Sequence, residues 1–150
     1  MRVIERDIVG AFIFSNDNKI LLGQPRDGGV YEGSWVVPGG GIEKKETKLN
    51  AVKREVEEEV GIDISTAKVT PIDGFSIGES NKTLRDTGEM VLVKMKFHDF
   101  RIDLEAAAED VELRVEDDLK EARWFLISQL SILSLAPGTK ATLQKLKVLS

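Results

Sequence analysis

The sequence predicts a single-domain α/β or α+β sandwich, and three observations carry that expectation. The chain has 150 residues, 41% of them hydrophobic and 31% charged, which is one domain's worth of chain, able to bury about two-thirds of its unfolded surface. Short β-branched or aromatic runs recur from Ile8 to Leu126 between turn-forming clusters, as strands do. Among them stands one amphipathic segment, Thr47 to Val60, and a second helical segment closes the chain. Strands interleaved with two or three helices pack in layers around a mixed sheet.

Each element has its own signal. Ile8–Ser15 and Lys19–Gly23 flank Asn16-Asp17-Asn18 and read as a hairpin. Residues Gln24 to Gly33 hold a proline, three glycines and several charges, and read as a loop. Trp35-Val36-Val37 predicts a short strand stopped by Pro38-Gly39-Gly40-Gly41. Thr47 suits the cap of the helix to Val60, and Gly61 stands where a left-handed C-cap residue belongs. Leu49, Val52, Val56 and Val60 form its apolar stripe.

Val69–Ile77 and Glu89–Phe100 read as strands joined by a polar turn, Glu79 to Gly88. The second alternates Val91, Val93, Met95 and Phe97 against Lys94, Lys96 and His98. Arg101 to Leu119 is acidic and carries no clear pattern. Glu121–Leu126 predicts a last strand, followed by a short helix from Ser128. Pro137 suits the first turn of a closing helix through Leu149, with Leu143, Leu146 and Leu149 as its stripe.

Composition narrows the function classes. The chain has no cysteine, which excludes disulfides, thiolate metal sites and thiol nucleophiles. A net charge of −5 argues against general nucleic-acid binding, which needs a basic face for phosphates. The longest apolar stretch, Ile8 to Phe14, is far short of the ~20 residues that span a bilayer. Arg2, Glu5, Arg6 and Asp7 before it do not suit a signal peptide. The expectation is a soluble, cytoplasmic protein without membrane or nucleic-acid partners.

The helix has a second, acidic face. At 100° per residue, Glu55, Glu58 and Glu59 fall within about 100° of one another beside the apolar stripe, while Glu57 points elsewhere. Like charges at such spacings destabilise a helix by a few tenths of a kcal/mol each. Lys53 to Glu57 and Arg54 to Glu58 are favourable pairs that leave Glu55 and Glu59 unneutralised. Two readings stay open: a hard-oxygen site for Mg²⁺ or Mn²⁺, or a solvated acidic face. Gly39, Gly40 and Gly41 before the helix favour the first, because they bring backbone and its carbonyls close to the helix. Lys44 and Lys45 stand nearby, either to meet phosphates or as plain solvated charges.

From Gly40 the chain gives five residues, Glu46, seven residues, then Arg54-Glu55-Val56-Glu57-Glu58-Glu59-Val60-Gly61-Ile62. This resembles the Nudix box at every fixed position of that pattern, from residue 40 to residue 62. Trp35 and Pro38 upstream, the first hairpin, and the late Glu121-Ala122-Arg123-Trp124-Phe125 strand extend the likeness over most of the chain. The resemblance implies one Nudix hydrolase domain over residues 1–150, an α/β/α sandwich with a mixed central sheet and the Nudix loop–helix–loop.

It also implies a divalent cation, Mg²⁺ with Mn²⁺ as substitute, and attack of water on a phosphorus of a substituted diphosphate. Glu55, Glu58 and Glu59 would be metal ligands with the Gly40 carbonyl, and Arg54 would orient the carboxylates. Glu46 and Gly61 would be structural members of the box. Glu121 resembles the downstream acid that serves some members as extra ligand or base; its plain alternative is an exposed strand-end glutamate. Asp117 and Asp118 are further candidates in the same stretch. Arg26 stands where the family often places a phosphate-contacting cation. Arg85 and Lys82 lie in a turn that could close over substrate, and Lys44 could meet phosphates; the plain alternative for each is a surface charge. Trp35 is expected to pack the core rather than stack a nucleobase. His98 is expected to have no chemical role.

Substrate choice lies outside the box. The region Gly74 to Gly78 lacks the proline that ADP-ribose hydrolases tend to carry, and the only tyrosine, Tyr31, is upstream of the place where dinucleoside polyphosphate hydrolases carry one. Isopentenyl diphosphate isomerases need a cysteine. The compact length and the start of the last helix resemble the bacterial branch that cleaves (deoxy)nucleoside triphosphates to a monophosphate and pyrophosphate, and this is the expected activity. Two alternatives stand beside it: a GDP-mannose-type nucleotide-sugar hydrolase, and a non-catalytic nucleotide-binding sensor. Many family members pair, so a homodimer is among the expected states.

Overall fold

The structure, a computed structural model, describes residues 1–29 and 31–150; Val30, within the predicted Gln24–Gly33 loop, lies outside the described residues. Strand β1 (Arg2–Phe14) is the axis of the sheet. The chain turns at Asn18, whose φ is 61°, into β2 (Lys19–Pro25), then into β3 (Gly39–Gly41) and helix α1 (Lys48–Val60). Strands β4 (Lys68–Pro71), β5 (Ser76–Thr83), β6 (Met90–Asp103) and β7 (Leu119–Leu126) follow, and α2 (Pro137–Lys145) closes the fold.

The sheet is mixed. β1 and β6 run parallel from Arg2↔Val91 to Phe14↔Asp103, and the other pairings are antiparallel. The order is β4-β6-β1-β2-β7, with β3 beside β1 at Ile8–Gly10 and β5 beside β6. Both faces are covered. Val9, Ala11 and Ile13 join Leu21 and Val52, Val56 and Val60 of α1 in one cluster; Phe12 and Phe14 join Ile20, Leu22 and Leu143 of α2 in the other. The run Ile8–Phe14 is therefore continuous and apolar because alternate residues enter different cores. The result is the expected three-layer α/β/α sandwich.

Several elements differ from expectation. Trp35 and Val36 form only isolated bridges, to Leu135 and Gly23; the strand forms one step later, from the three glycines. A Cβ at Gly39 would collide with the Val9 carbonyl, so only glycine lets this segment lie against β1. Leu49 is exposed, and the buried face of α1 begins at Ala51, because the first turn precedes the part of the helix that reaches the sheet. The predicted strand Val69–Ile77 is two strands, broken where Ile72 donates to the Asp99 carbonyl and Gly74 takes φ 82°.

The expected turn from Glu79 is strand as far as Thr83; only residues 84–88 turn, with Gly88 at φ 70°. The polar residues Glu79 to Thr83 lie on an edge strand open to solvent, where hydrophobic alternation carries no signal. A 3₁₀ turn, Ile127–Ile132, replaces the short helix after β7. Helix α2 stops at Lys145 instead of Leu149, because Lys147 takes φ 62° while Lys147 and Val148 donate back to the Gln144 and Leu143 carbonyls, a Schellman end without glycine.

Candidate active site

Local chemistry fixes helix α1 at both ends. The Thr47 side chain accepts from the Asn50 amide at 3.1 Å, which satisfies a first-turn donor. Gly61 takes φ 73° and donates to the Glu57 carbonyl at 3.0 Å. Beyond it the acidic stretch folds back, with Arg114 and Glu116 donating to the Val60 and Glu59 carbonyls, each at 2.9 Å. This contact lays Asp117 and Asp118 beside the carboxylate face of the helix.

Arg54 ties that face to the loop before it. Its guanidinium meets Glu46 twice, at 2.8 and 2.9 Å, the Glu55 carboxylate at 2.9 Å, Glu58 at 3.2 Å and the Gly41 carbonyl at 2.9 Å. The two-pronged pair with Arg54 holds the Glu46 carboxyl down at about 2. Glu43 adds a backbone donor to it at 3.0 Å. Glu46 thus positions Arg54, and Arg54 positions Glu55 and Glu58.

Glu55 and Glu59 are the buried acids of the helix, 9% and 2% exposed. Burial pushes the Glu59 carboxyl up to about 8, the Gly39 amide that donates to it at 2.8 Å opposes this, and the charges of Glu55, Asp118 and Asp117 add to the rise. Burial also raises Glu55, against the pull of Arg54. The Glu55 carboxylate lies directly on the backbone of Gly40: a Cβ there would stand 2.5 Å from its oxygens.

Among the described residues no three acids already converge on one point. Like charges explain this: Glu55 turns to Arg54, Glu59 to the Gly39 amide, and Glu58 stays largely in solvent. The donor set still fits a hard divalent cation, since carboxylates and backbone carbonyls are the oxygen ligands such ions take. Two of the carboxyls are held up in pKa by burial and like charge, a penalty that an incoming cation relieves.

Beside the cluster opens a cavity of about 340 Å³. Gly39, Gly40, Glu59 and Asp118 line it from the α1 side of the sheet, and Phe97, Asp99 and Thr139 from the α2 side. An acidic cluster on a capped helix, a glycine strand against it, and a cavity of ligand size lie together.

The sequence profile of the NUDIX domain matches residues 5–146. The chain belongs to the NUDIX domain family. Its curated relatives include the nucleoside triphosphatase NudI of Escherichia fergusonii, 27% identical over 93% of this chain and 94% of that protein. NudI of Enterobacter sp. (strain 638) is 29% identical over 92% and 94%. Among solved structures, the dihydroneopterin triphosphate pyrophosphohydrolase of E. coli superposes with a TM-score of 0.71 at 19% identity, over 95% of this chain and 96% of that one. The MutT protein of Methanosarcina mazei Go1 gives 0.66 at 20%, over 98% and 96%. These two share the fold. The chain is thus a Nudix hydrolase.

The Nudix fold brings some of the expected site residues together and leaves others apart. Glu46, Arg54, Glu55, Glu58, Glu59, Gly40 and Gly61 form the connected unit described above. Arg26 is near it, but its side chain donates to the Asp117 carbonyl and its amide to the Asp118 carbonyl, so it anchors the acidic loop. Glu121 sits beside the Arg123 guanidinium on β7, while the downstream acids whose charges bear on Glu59 are Asp118 and Asp117. Lys44 is exposed in the loop before α1, and Arg85 is exposed in the turn after β5, at the end of the sheet where β5 meets Met90 and Val91. Neither lines the cavity.

Trp35 packs edge-on against Phe125 at 4.8 Å, and His98 pairs with Asp7 at 2.9 Å. Sequence reasoning missed two residues of the cavity, Tyr31 and Asp99, and one beside the glycine strand, Arg6. Tyr31 lines the cavity and carried no pattern. Arg6 lays its guanidinium over Gly41, where a Cβ would stand 2.5 Å from its Nη2. Asp99 had a signal: it continues the inward series Val91, Val93, Met95 and Phe97 with a carboxylate.

Proposed function

We propose that this Nudix hydrolase cleaves (deoxy)nucleoside triphosphates to a monophosphate and pyrophosphate with Mg²⁺, or Mn²⁺ in its place. The observation that carries the reading is the buried pair Glu55 and Glu59, held against Gly40 and Gly39, with Glu59 and both glycines in the wall of a ligand-sized cavity. The near full-length likeness to proteins named nucleoside triphosphatases supports the substrate class.

Glu55, Glu58, Glu59 and the Gly40 carbonyl would hold the cation. When bound, it neutralises phosphate charge and polarises the phosphorus centre, which is most of what phosphoryl chemistry needs. The chain's own residues do the rest. Arg54, fixed by Glu46, holds Glu55 and Glu58 in place. We assign the proton acceptor for the attacking water to Asp118, which lines the cavity beside Glu59, ahead of Glu121, which does not line it.

The test is a hydrolysis screen of purified protein with and without Mg²⁺, over canonical (d)NTPs, GDP-mannose, ADP-ribose and diadenosine polyphosphates. Pyrophosphate and a monophosphate from triphosphates are the expected products. A sugar phosphate product from GDP-mannose alone, or nucleotide binding without turnover, would overturn the reading.

A further inference from the structure

The cavity contains a carboxylate that hydrolysis does not use. Asp99 pairs in register with Gly10 of β1 and reaches the cavity from the α2 side. Its Oδ2 accepts from the Thr142 hydroxyl at 2.8 Å. Its Oδ1 receives no donor among the described residues. A Cβ at residue 10 would stand 2.5 Å from this oxygen, so the oxygen lies over the Gly10 backbone in space that only glycine leaves open. The walls around it are apolar: Phe12, Phe97, Ala136 and Pro137. Burial pushes this carboxyl up, opposed by Thr142 and the charges of Lys145 and His98. A half-satisfied acceptor in an apolar, ligand-sized recess gains most from a donor brought by a ligand.

Building on the triphosphatase reading above, we propose that Asp99 is a specificity-determining residue that binds the substrate's base through a ring N–H and an adjacent exocyclic amine, the 2-amino-oxo edge that guanine carries. The two oxygens of a carboxylate accept two parallel N–H donors, as they do from a guanidinium. Guanine alone among the standard bases places two donors side by side on its pairing edge. Uracil and thymine flank their single N–H with carbonyl oxygens, which a carboxylate repels. Adenine and cytosine set the amine beside a ring nitrogen lone pair. Gly138 and Thr139, whose first-turn amides have no backbone acceptor among the described residues, stand in the same wall and suit the ring carbonyl next to those donors.

The test compares kcat/KM for dGTP and dITP, which differ only by the 2-amino group, in the wild type and in Asp99→Asn. The wild type is expected to favour dGTP by about tenfold or more, the worth of a hydrogen bond to a charged group. In Asp99→Asn that ratio should fall toward one. A wild-type ratio near one, or a ratio unchanged in the variant, overturns the proposal. The wild-type ratio decides alone if the variant does not fold. Dihydroneopterin triphosphate carries the same edge on a pterin; faster turnover of it than of dGTP sustains the edge and names the other source. If no triphosphate is hydrolysed, the triphosphatase reading fails by itself, and Asp99 is judged by calorimetric binding of dGMP against dIMP. A preference for dGMP that Asp99→Asn loses then sustains the proposal; equal binding, or none, overturns it.

Discussion

A methyl group is the unit in which the site is built. Gly40 has none, and the Glu55 carboxylate occupies the place a Cβ would take, 2.5 Å away. That carboxylate ends a flexible side chain, so Gly40→Ala should leave the fold standing and push the carboxylate aside. Mg²⁺ affinity should drop about 10- to 100-fold, as when a ligand's support is lost, with the far-ultraviolet spectrum unchanged; calorimetric titration measures it. The acids after the helix separate in the same way. Asp118 shares a field with Glu59 and lines the cavity, whereas Glu121 lies outside the cavity lining. Asp118→Asn should lower kcat by about 100-fold, the usual worth of a positioned proton acceptor, with Glu121→Gln the smaller loss. The reverse order would return the role to Glu121.

At the scale of elements, the site depends on one helix and one glycine strand meeting at a fixed angle. Thr47→Ala removes the first-turn acceptor of α1 and should cost about 1 kcal/mol in urea unfolding. Gly39→Ala places a methyl on the Val9 carbonyl, backbone against backbone, and should cost about 1–3 kcal/mol by overpacking and loosen β3 from β1. The helix was legible because everything that makes it is local: Thr47, Gly61, and the Val52, Val56 and Val60 spacing act within a few residues. So was the carboxylate face, since Arg54, Glu55 and Glu58 are neighbours on one turn. β3 was not legible, because three glycines become a strand only when β1 offers its edge. The split of Val69–Ile77 was hidden for the same reason, as Ile72 leaves the strand to donate to the Asp99 carbonyl, far along the chain. Lys44 and Arg85 read as phosphate contacts by charge alone, and charge on exposed loops says nothing about which face of the sheet a loop reaches.

On the scale of the whole molecule, the three layers force an acid into the core. Helix α1 must bury the side that packs on Val9, Ala11 and Ile13, and Glu59 lies on that side, 2% exposed. The fold therefore holds an acid whose pKa rises from 4.5 to about 8. The sign follows from proton counting: between these values the folded chain keeps a proton that the unfolded chain has released, so stability falls as pH rises. Below about 4.5 the two states bind it alike and the contribution is fully present; above about 8 it is lost. Metal-free protein in EDTA should accordingly melt at progressively lower temperature from pH 5.5 to pH 8.5, and Glu59→Gln, neutral throughout, should flatten that slope and melt higher than the wild type at the alkaline end. Saturating Mg²⁺ should restore the wild type most at high pH, where the carboxylate is free to bind, and do much less for Glu59→Gln. A slope that survives in Glu59→Gln would place the titrating group elsewhere in the fold.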